Sequence, residues 1–464
     1  MKNFFRKKDY SAQEGKFERK LGVIDLTALG IGAVIGAGIF VITGKAAATL
    51  AGPGVIVSFL VAAVAIGLSA LVYAELSSAY PISGSAYSYT YLSLGEGIAW
   101  IVGWELLLEY GIATAAVAVG WSGYFRRFIE EQFHLVIPQA LSGSFDPSSG
   151  TYIDICAFLA VAIIFALLTI GIKESASVNI VIVAIKFVVL GVFIYYGIKH
   201  VKFENLSPFL PFGWDGVWKG TSLIVFAYLG FDAVSTVAEE TKDPTRTVPL
   251  GLVLSLVIST ALYIVVAVVL CAMMPYDRLD VPDALAFAMY QNGEPFAASI
   301  IALGAVITIT SVMMVMGIGF TRICYALARD GLLFKNLADI HPTLKTPYKA
   351  SILGGALLSF MAGMVPLGVL AELINIGTLF AYFMVGLAAI AVRKYHDASP
   401  RFTIPLAGIL LPLNLLMLIF IMVGLPGVTW LRFGVWTLVG LAVYALYGRK
   451  HSRMNDPQSD GPTP

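Results

Sequence analysis

The chain has 464 residues, 58% of them hydrophobic and 13% charged, with a net charge of +1. Soluble domains carry about 25% charged residues, so the composition excludes an ordinary water-soluble fold and gives no reason to expect nucleic acid as a partner. No Walker A loop, His/Cys cluster of metal-ligand spacing or nucleophile–base pair is visible, so neither ATP coupling, a metal or other cofactor, nor an enzyme is expected.

The apolar residues fall into about twelve runs of bilayer-spanning length, roughly 20 residues each. They lie at 23–50, 54–78, 97–125, 152–172, 176–198, 215–238, 248–274, 297–325, 349–366, 369–392, 403–425 and 429–448. The chain therefore reads as an all-α polytopic membrane protein, with lipid around it. Residues 1–20 form a polar tail and 451–464 a second one; between them, 21–450 is one transmembrane domain. With the N-terminus inside, 21 of the 30 Lys and Arg fall on inside segments, seven fall outside, and Lys45 and Lys186 fall within spans. This asymmetry follows the positive-inside rule and places both termini in the cytoplasm of a plasma-membrane protein. The first 20 residues are polar and the first span is too long for a signal h-region, so no cleavable signal peptide is expected. Cys156, Cys271 and Cys324 sit in or beside spans, which implies no disulfide framework. The five His lie at 134, 200, 341, 396 and 451, in expected loops or tails.

The first run is interrupted by Gly36-Ala37-Gly38-Ile39-Phe40, and the sixth by Phe226-Ala227-Tyr228-Leu229-Gly230-Phe231-Asp232. Unpaired backbone survives at membrane depth only inside protein or against a watery cavity. Two interrupted helices in corresponding positions thus point to the binding site of a secondary transporter. Five spans begin with each break, and five is odd. The two blocks, about 23–198 and 215–392, are therefore expected to insert with opposite orientation, as an inverted repeat followed by two further helices at 403–448.

Unwinding at Gly36 to Ile39 leaves the next half-helix with free N–H groups at its positive end, which suits a carboxylate. Close helix packing is the alternative, since small residues at this spacing are common in membrane helices. Phe226 to Gly230 ends a half-helix with spare carbonyls, which suit an ammonium; Phe226 and Phe231 are candidates to close over a ligand from outside, or core positions. Between the two breaks, Glu105 and Glu109 lie one turn apart on one helix face. Glu109 is a candidate partner for Lys186, a contact for a substrate amine, or a member of a polar network. Lys186 lies mid-span, where a charge costs about 2.5–3.5 kcal/mol even on lenient scales. Buried lysines lose their proton readily, so this one is a candidate for proton coupling; permanent pairing is the alternative. Lys45 is expected to snorkel to the interface. Of Met313, Met314 and Met316, Met316 is the candidate to wall the pocket, against core packing. A sodium site built from Thr308, Thr310 and Ser311 is the alternative to proton coupling.

The motif Gly32-Ala-Val-Ile-Gly36-Ala37-Gly38-Ile39-Phe40 resembles the first-helix signature of the amino acid–polyamine–organocation transporters. Tyr73-Ala-Glu75-Leu with Pro81-Ile-Ser-Gly84-Ser85-Ala86-Tyr87 is similar to the motif joining their second and third helices. Phe226 to Asp232, followed by Glu239-Glu240-Thr-Lys-Asp-Pro244, resembles the sixth helix of the cationic amino acid transporter branch. Gly103-Trp104-Glu105-Leu-Leu-Leu-Glu109-Tyr110 and Thr321-Arg322 with Ala328-Arg329-Asp330-Gly331 fit as well. The resemblance implies the five-plus-five inverted-repeat fold of twelve helices and transport of free amino acids. It implies substrate contacts at Val34, Gly36, Ala37, Gly38, Ile39, Phe226, Ala227, Leu229, Gly230 and Met316, with Lys186 standing where sodium-coupled cousins hold a sodium ion. Many relatives carry a hydroxyl residue where this chain has Ala37, so here only the backbone is left for a contact. The expectation is a proton-coupled symporter of small neutral α-amino acids. An exchanger or a carrier of cationic amino acids or polyamines is the rival reading, and a non-transporting amino acid sensor a more distant one.

Overall fold

The computed structural model describes residues 4–7, 20–80, 85–171, 176–395 and 402–455. Pro81 to Gly84 of the second motif, His396 and most of both tails lie outside the described residues. Every long element among the described residues is a helix. A chain in hydrocarbon has to satisfy its backbone internally, and a helix does so within one segment.

In chain order the first helix is α1 (Val23–Val34), which stops at Ile35 and Gly36. It resumes as one rod, α2 (Thr43–Ala46) between wide π-type turns at Gly38–Ile42 and Ala47–Ala51. Then come α3 (Val55–Ala79), a short α4 (Ser85–Ser93), the long α5 (Glu96–Phe133), α6 (Ile155–Ile170) and α7 (Ala176–Gly197). The same sequence of lengths then recurs. α8 (Gly213–Ile224) continues as a 3-10 turn, Val225–Tyr228, breaks at Leu229 and Gly230, and resumes as Phe231–Glu240. After it stand α9 (Pro244–Met273), a short α10 (Ala284–Gln291), the long α11 (Pro295–Arg329), α12 (Tyr348–Met364) and α13 (Leu367–Tyr395). Two more, α14 (Ala407–Val423) and α15 (Gly427–Val443), close the chain. Among the described residues, eight helical stretches are long and apolar enough to cross a membrane; one of them, Val23–Ala79, has 57 residues, enough for two crossings.

Members of the two series pack on one another: α3 on α9, α5 on α11 and α6 on α12. The interrupted elements lie antiparallel. At one end the amides of Lys20 and Leu21 donate to Glu240 O; at the other, Gly52 and Gly216 press against Pro211 and Leu50. The described parts of both tails, residues 4–7 and 451–455, lie at one end of the bundle, where residues 4–6 meet Tyr444 and Met454. We call this the tail face.

One element, α5, runs past its apolar segment. α5 continues through Arg126 and Arg127 to Phe133, so the loop expected from residue 126 begins only at His134. Beyond the apolar stretch the helix is carried by ion pairs of Arg127 with Glu131, one turn on, and with Asp283. The short helices α4 and α10 carry no apolar run of spanning length, which is why hydropathy alone does not register them. Lys45, one of the two cations expected within spans, is partly exposed and pairs with Asp280 at 3.4 Å, opposite the tail face.

Candidate functional site

The break in the first helix falls at Ile35 and Gly36, one residue earlier than glycine spacing predicts. Ile35 is extended (φ −76°, ψ 99°), and the ladder restarts when the amides of Ile39 and Phe40 find Gly36 O at 3.2 and 3.3 Å. The amides of Ala37 and Gly38 precede that ladder, at the positive end of the half-helix. In the other interrupted element Gly230 adopts φ +89°, a conformation that only glycine reaches without strain. A Cβ there would lie 2.9 Å from Met316 Cε and 3.0 Å from Ala33 Cβ, so the Met316 methyl abuts the second break. The two breaks touch directly: a Cβ on Gly38 would come within 2.3 Å of Ala227 Cα.

A helix that stops at mid-membrane leaves its last carbonyls without amide partners. For α1, side chains from other helices take most of that role. Lys186 of α7, fully buried, donates from Nζ to Gly32 O at 2.5 Å and to Ile35 O at 2.6 Å. A cation thus sits at the negative end of α1, where the helix dipole favours it. Tyr263 of α9 places its hydroxyl 2.7 Å from Val34 O and 2.8 Å from Ala227 O. One phenolic proton cannot serve both carbonyls. Whichever it serves, the other keeps its acceptor capacity, and the pair joins the two breaks. On α8, Asn375 of α13 donates to the carbonyls of Ser222 and Leu223.

On the tail side of the second break is a polar cluster. Asp232 Oδ2 accepts from Ser85 Oγ at 2.9 Å and from Tyr110 OH at 3.2 Å. Glu109 is buried within electrostatic reach of Asp232 rather than of Lys186. Of the three roles open to Glu109, partnership with Lys186 has no ion pair between the two among the described residues: Lys186 is drawn to the carbonyls of α1. Asp232 Oδ1 and Glu109 Oε2 find no donor among the described residues. Phe231 packs its ring 5.5 Å from Tyr73 and 5.1 Å from Tyr382. Phe226 precedes Gly230 and Phe231 follows it, in the two halves of the interrupted element.

The remaining expected residues converge here: Val34, Ala37, Ile39, Phe226, Ala227 and Leu229 are all buried along the two breaks. Met313 is buried too, and Thr308 and Thr310 donate to carbonyls of their own helix. Tyr263, Asn375 and Asp232 are site residues to which sequence reasoning gave no role. Asp232 closes a quoted motif and was within reach of it; a tyrosine and an asparagine inside apolar spans give only a weak signal, because buried polar residues commonly serve helix contacts.

The family described as amino acid permease matches the chain over residues 21–446. The chain is 45% identical to the methylthioribose transporter of Bacillus subtilis (strain 168), over 98% of this chain and all of that protein. It is 43% identical to the branched-chain amino acid permease BcaP of the same organism, over 97% of this chain and 99% of that one. It is also 37% identical to human cationic amino acid transporter 4, over 84% of this chain and 62% of the longer human protein.

Proposed function

The chain belongs to the amino acid permease family, multi-pass membrane transporters rather than enzymes, and from that premise we propose that it imports small neutral α-amino acids by proton symport. One observation carries the reading. Two antiparallel interrupted helices meet at Gly38 and Ala227, with free amides on one and, across Tyr263, more acceptor carbonyls than donor protons on the two together. An α-amino acid is complementary to that arrangement. Its carboxylate takes the amides of Ala37 and Gly38, and its ammonium supplies the donor that Tyr263 lacks. Val34, Ile39, Phe226 and Leu229 line the contact, Met316 limits the side chain, and Phe226 and Phe231 gate it from the two halves of the interrupted element.

Lys186 is the coupling group. Protonated, it holds the end of α1; deprotonated, it loses the charge that the α1 carbonyls favour. Glu109 beside Asp232 is a second proton-holding group on the tail side. The recurring order of element lengths, with antiparallel interrupted helices, supports twelve crossings in a five-plus-five inverted repeat plus two helices, within one domain at 21–450. The basic residues on tail-face segments support a plasma-membrane orientation with both termini cytoplasmic. Alternating access then proceeds around the one midplane site.

The test is uptake of radiolabelled alanine into proteoliposomes at varied pH and sodium, with competition by amino acids, polyamines and methylthioribose. Proton-driven, sodium-independent uptake, inhibited only by small neutral compounds bearing both the α-amine and the carboxylate, is the expected result. Competition by polyamines or cationic amino acids favours the rival reading. Strong competition by methylthioribose, which lacks both groups, sinks the proposed recognition, and the 45% identity to a transporter of that compound makes it the sharpest competitor to include.

A further inference from the structure

On the tail face the described segments of both tails, residues 4–7 and 451–455, converge on one buried carboxylate. Glu96, at the start of α5, is fully buried. Its Oε1 accepts from Tyr444 OH at 2.9 Å, and its Oε2 from Tyr91 OH at 3.1 Å and Ser452 Oγ at 2.5 Å. The Arg6 guanidinium lies 3.5 Å from the same oxygen and donates to Met454 O at 2.7 Å. The N-terminal segment also accepts at the α5 start: Glu96 N donates to Arg6 O and Gly97 N to Phe4 O, at 2.8 and 2.9 Å. The C-terminal segment reaches a second anchor where Arg453 N donates to Asp330 O at 3.1 Å.

Both anchors hold α4. Tyr91 bonds Glu96, and Tyr87 OH donates to Asp330 Oδ2 at 2.8 Å. The first residue of α4, Ser85, bonds Asp232 immediately past the second break. A continuous path of hydrogen bonds and one short helix thus runs from the two tails to the interrupted helix. Phe231–Glu240 is the tail-side half of the interrupted element, and α4 packs against that segment.

We propose that the two tails form a two-part latch that fastens α4, through Glu96 and Asp330, over the tail-side half of the second interrupted helix, so that opening toward this face requires the tails to let go. The inference rests on the transport reading for its consequence, though not for its geometry. Neither tail closes the latch alone: the N-terminal one supplies the Arg6 charge, and the C-terminal one supplies the Ser452 hydroxyl.

Hydrogen exchange on the full-length protein in nanodiscs tests the latch without requiring transport. Arg6→Ala and Ser452→Ala should each raise exchange of the α4 amides and of the first turn of α5 by about tenfold, the effect of losing one charge-assisted contact on a local opening. Faster exchange confined to residues 96 and 97, with α4 unchanged, overturns the proposal by reducing the tails to local packing. A second arm joins Arg6→Cys to Met454→Cys with a reducible thiol cross-linker. Alanine uptake should fall at least tenfold when linked and return on reduction; full activity in the linked protein overturns the latch. If the unmodified protein moves no alanine, the transport reading fails, and the exchange data still decide whether the tails hold α4.

Discussion

Lys186 shows how one side chain can hold a backbone and carry a titratable charge at once. Its amine donates to two carbonyls at the end of α1, Gly32 and Ile35, and a buried carbonyl left without a donor costs about 1–3 kcal/mol. Lys186→Ala removes both roles, whereas Lys186→Gln keeps a donor and removes only the proton exchange. The alanine variant should therefore melt lower than the glutamine variant in a thermal-shift series, while both lose proton-driven accumulation in proteoliposomes. Accumulation retained by the glutamine variant would move the coupling role elsewhere, with Glu109 and Asp232 next in line. Tyr263→Phe should lower stability by about 1–2 kcal/mol, the loss of one buried hydrogen bond, and should slow uptake because the two breaks are no longer joined through a hydroxyl. Normal uptake kinetics in that variant would confine Tyr263 to packing.

The interrupted elements decide what their glycines tolerate. Sequence reasoning makes Gly38 a position where a substrate approaches the backbone; the structure adds that Ala227 Cα would lie 2.3 Å from a Cβ there. Gly38→Ala should abolish uptake by forcing the elements apart, and Ala227→Gly should not rescue it, because the obstructing atom is backbone. Gly230→Ala meets three obstacles: a left-handed backbone, costing about 1–2 kcal/mol, the Ala33 Cβ at 3.0 Å and, beside these, the Met316 methyl at 2.9 Å. Met316→Ser relieves only the last of these, so the double variant should recover part of the lost stability in a double-mutant cycle. The same Met316→Ser change alone should widen the proposed substrate range toward Arg and Lys, read by competition; an unchanged profile would place the pocket wall elsewhere.

Across the whole molecule, buried charge is concentrated where helices from different parts of the chain are tied together. Arg393 of α13 grips Glu75 of α3 with two contacts of 2.5 Å, and Glu75 also accepts from Ile404 N at 2.7 Å. Glu75 is buried while Arg393 reaches the surface, where water can solvate the stranded guanidinium; Glu75→Ala should therefore cost about 1–2 kcal/mol, the scale of a charged hydrogen bond, seen as a drop in melting temperature. A variant melting within a degree of the parent would show that water substitutes freely there. This ion pair spans more than 300 positions of sequence, and neither residue by itself announces the other.

The membrane-embedded, all-helical class and the two break positions were legible in the sequence. Apolar runs of bilayer length and glycine interruptions are local properties, and hydrocarbon leaves a chain no alternative to helices. Lys186 was legible for the same reason, as a charge where charge is costly. What that charge touches was not. The pairing of Lys186 with α1 rather than with Glu109, the placement of Glu109 beside Asp232, and the Tyr263 hydroxyl between two carbonyls depend on the rotation of each helix about its axis. Packing against several neighbours at once sets that rotation. The short helices α4 and α10 and the convergence of both tails on Glu96 were likewise invisible. Their segments are too short or too polar to form a spanning run, and their positions follow only from the faces that the long helices present after assembly.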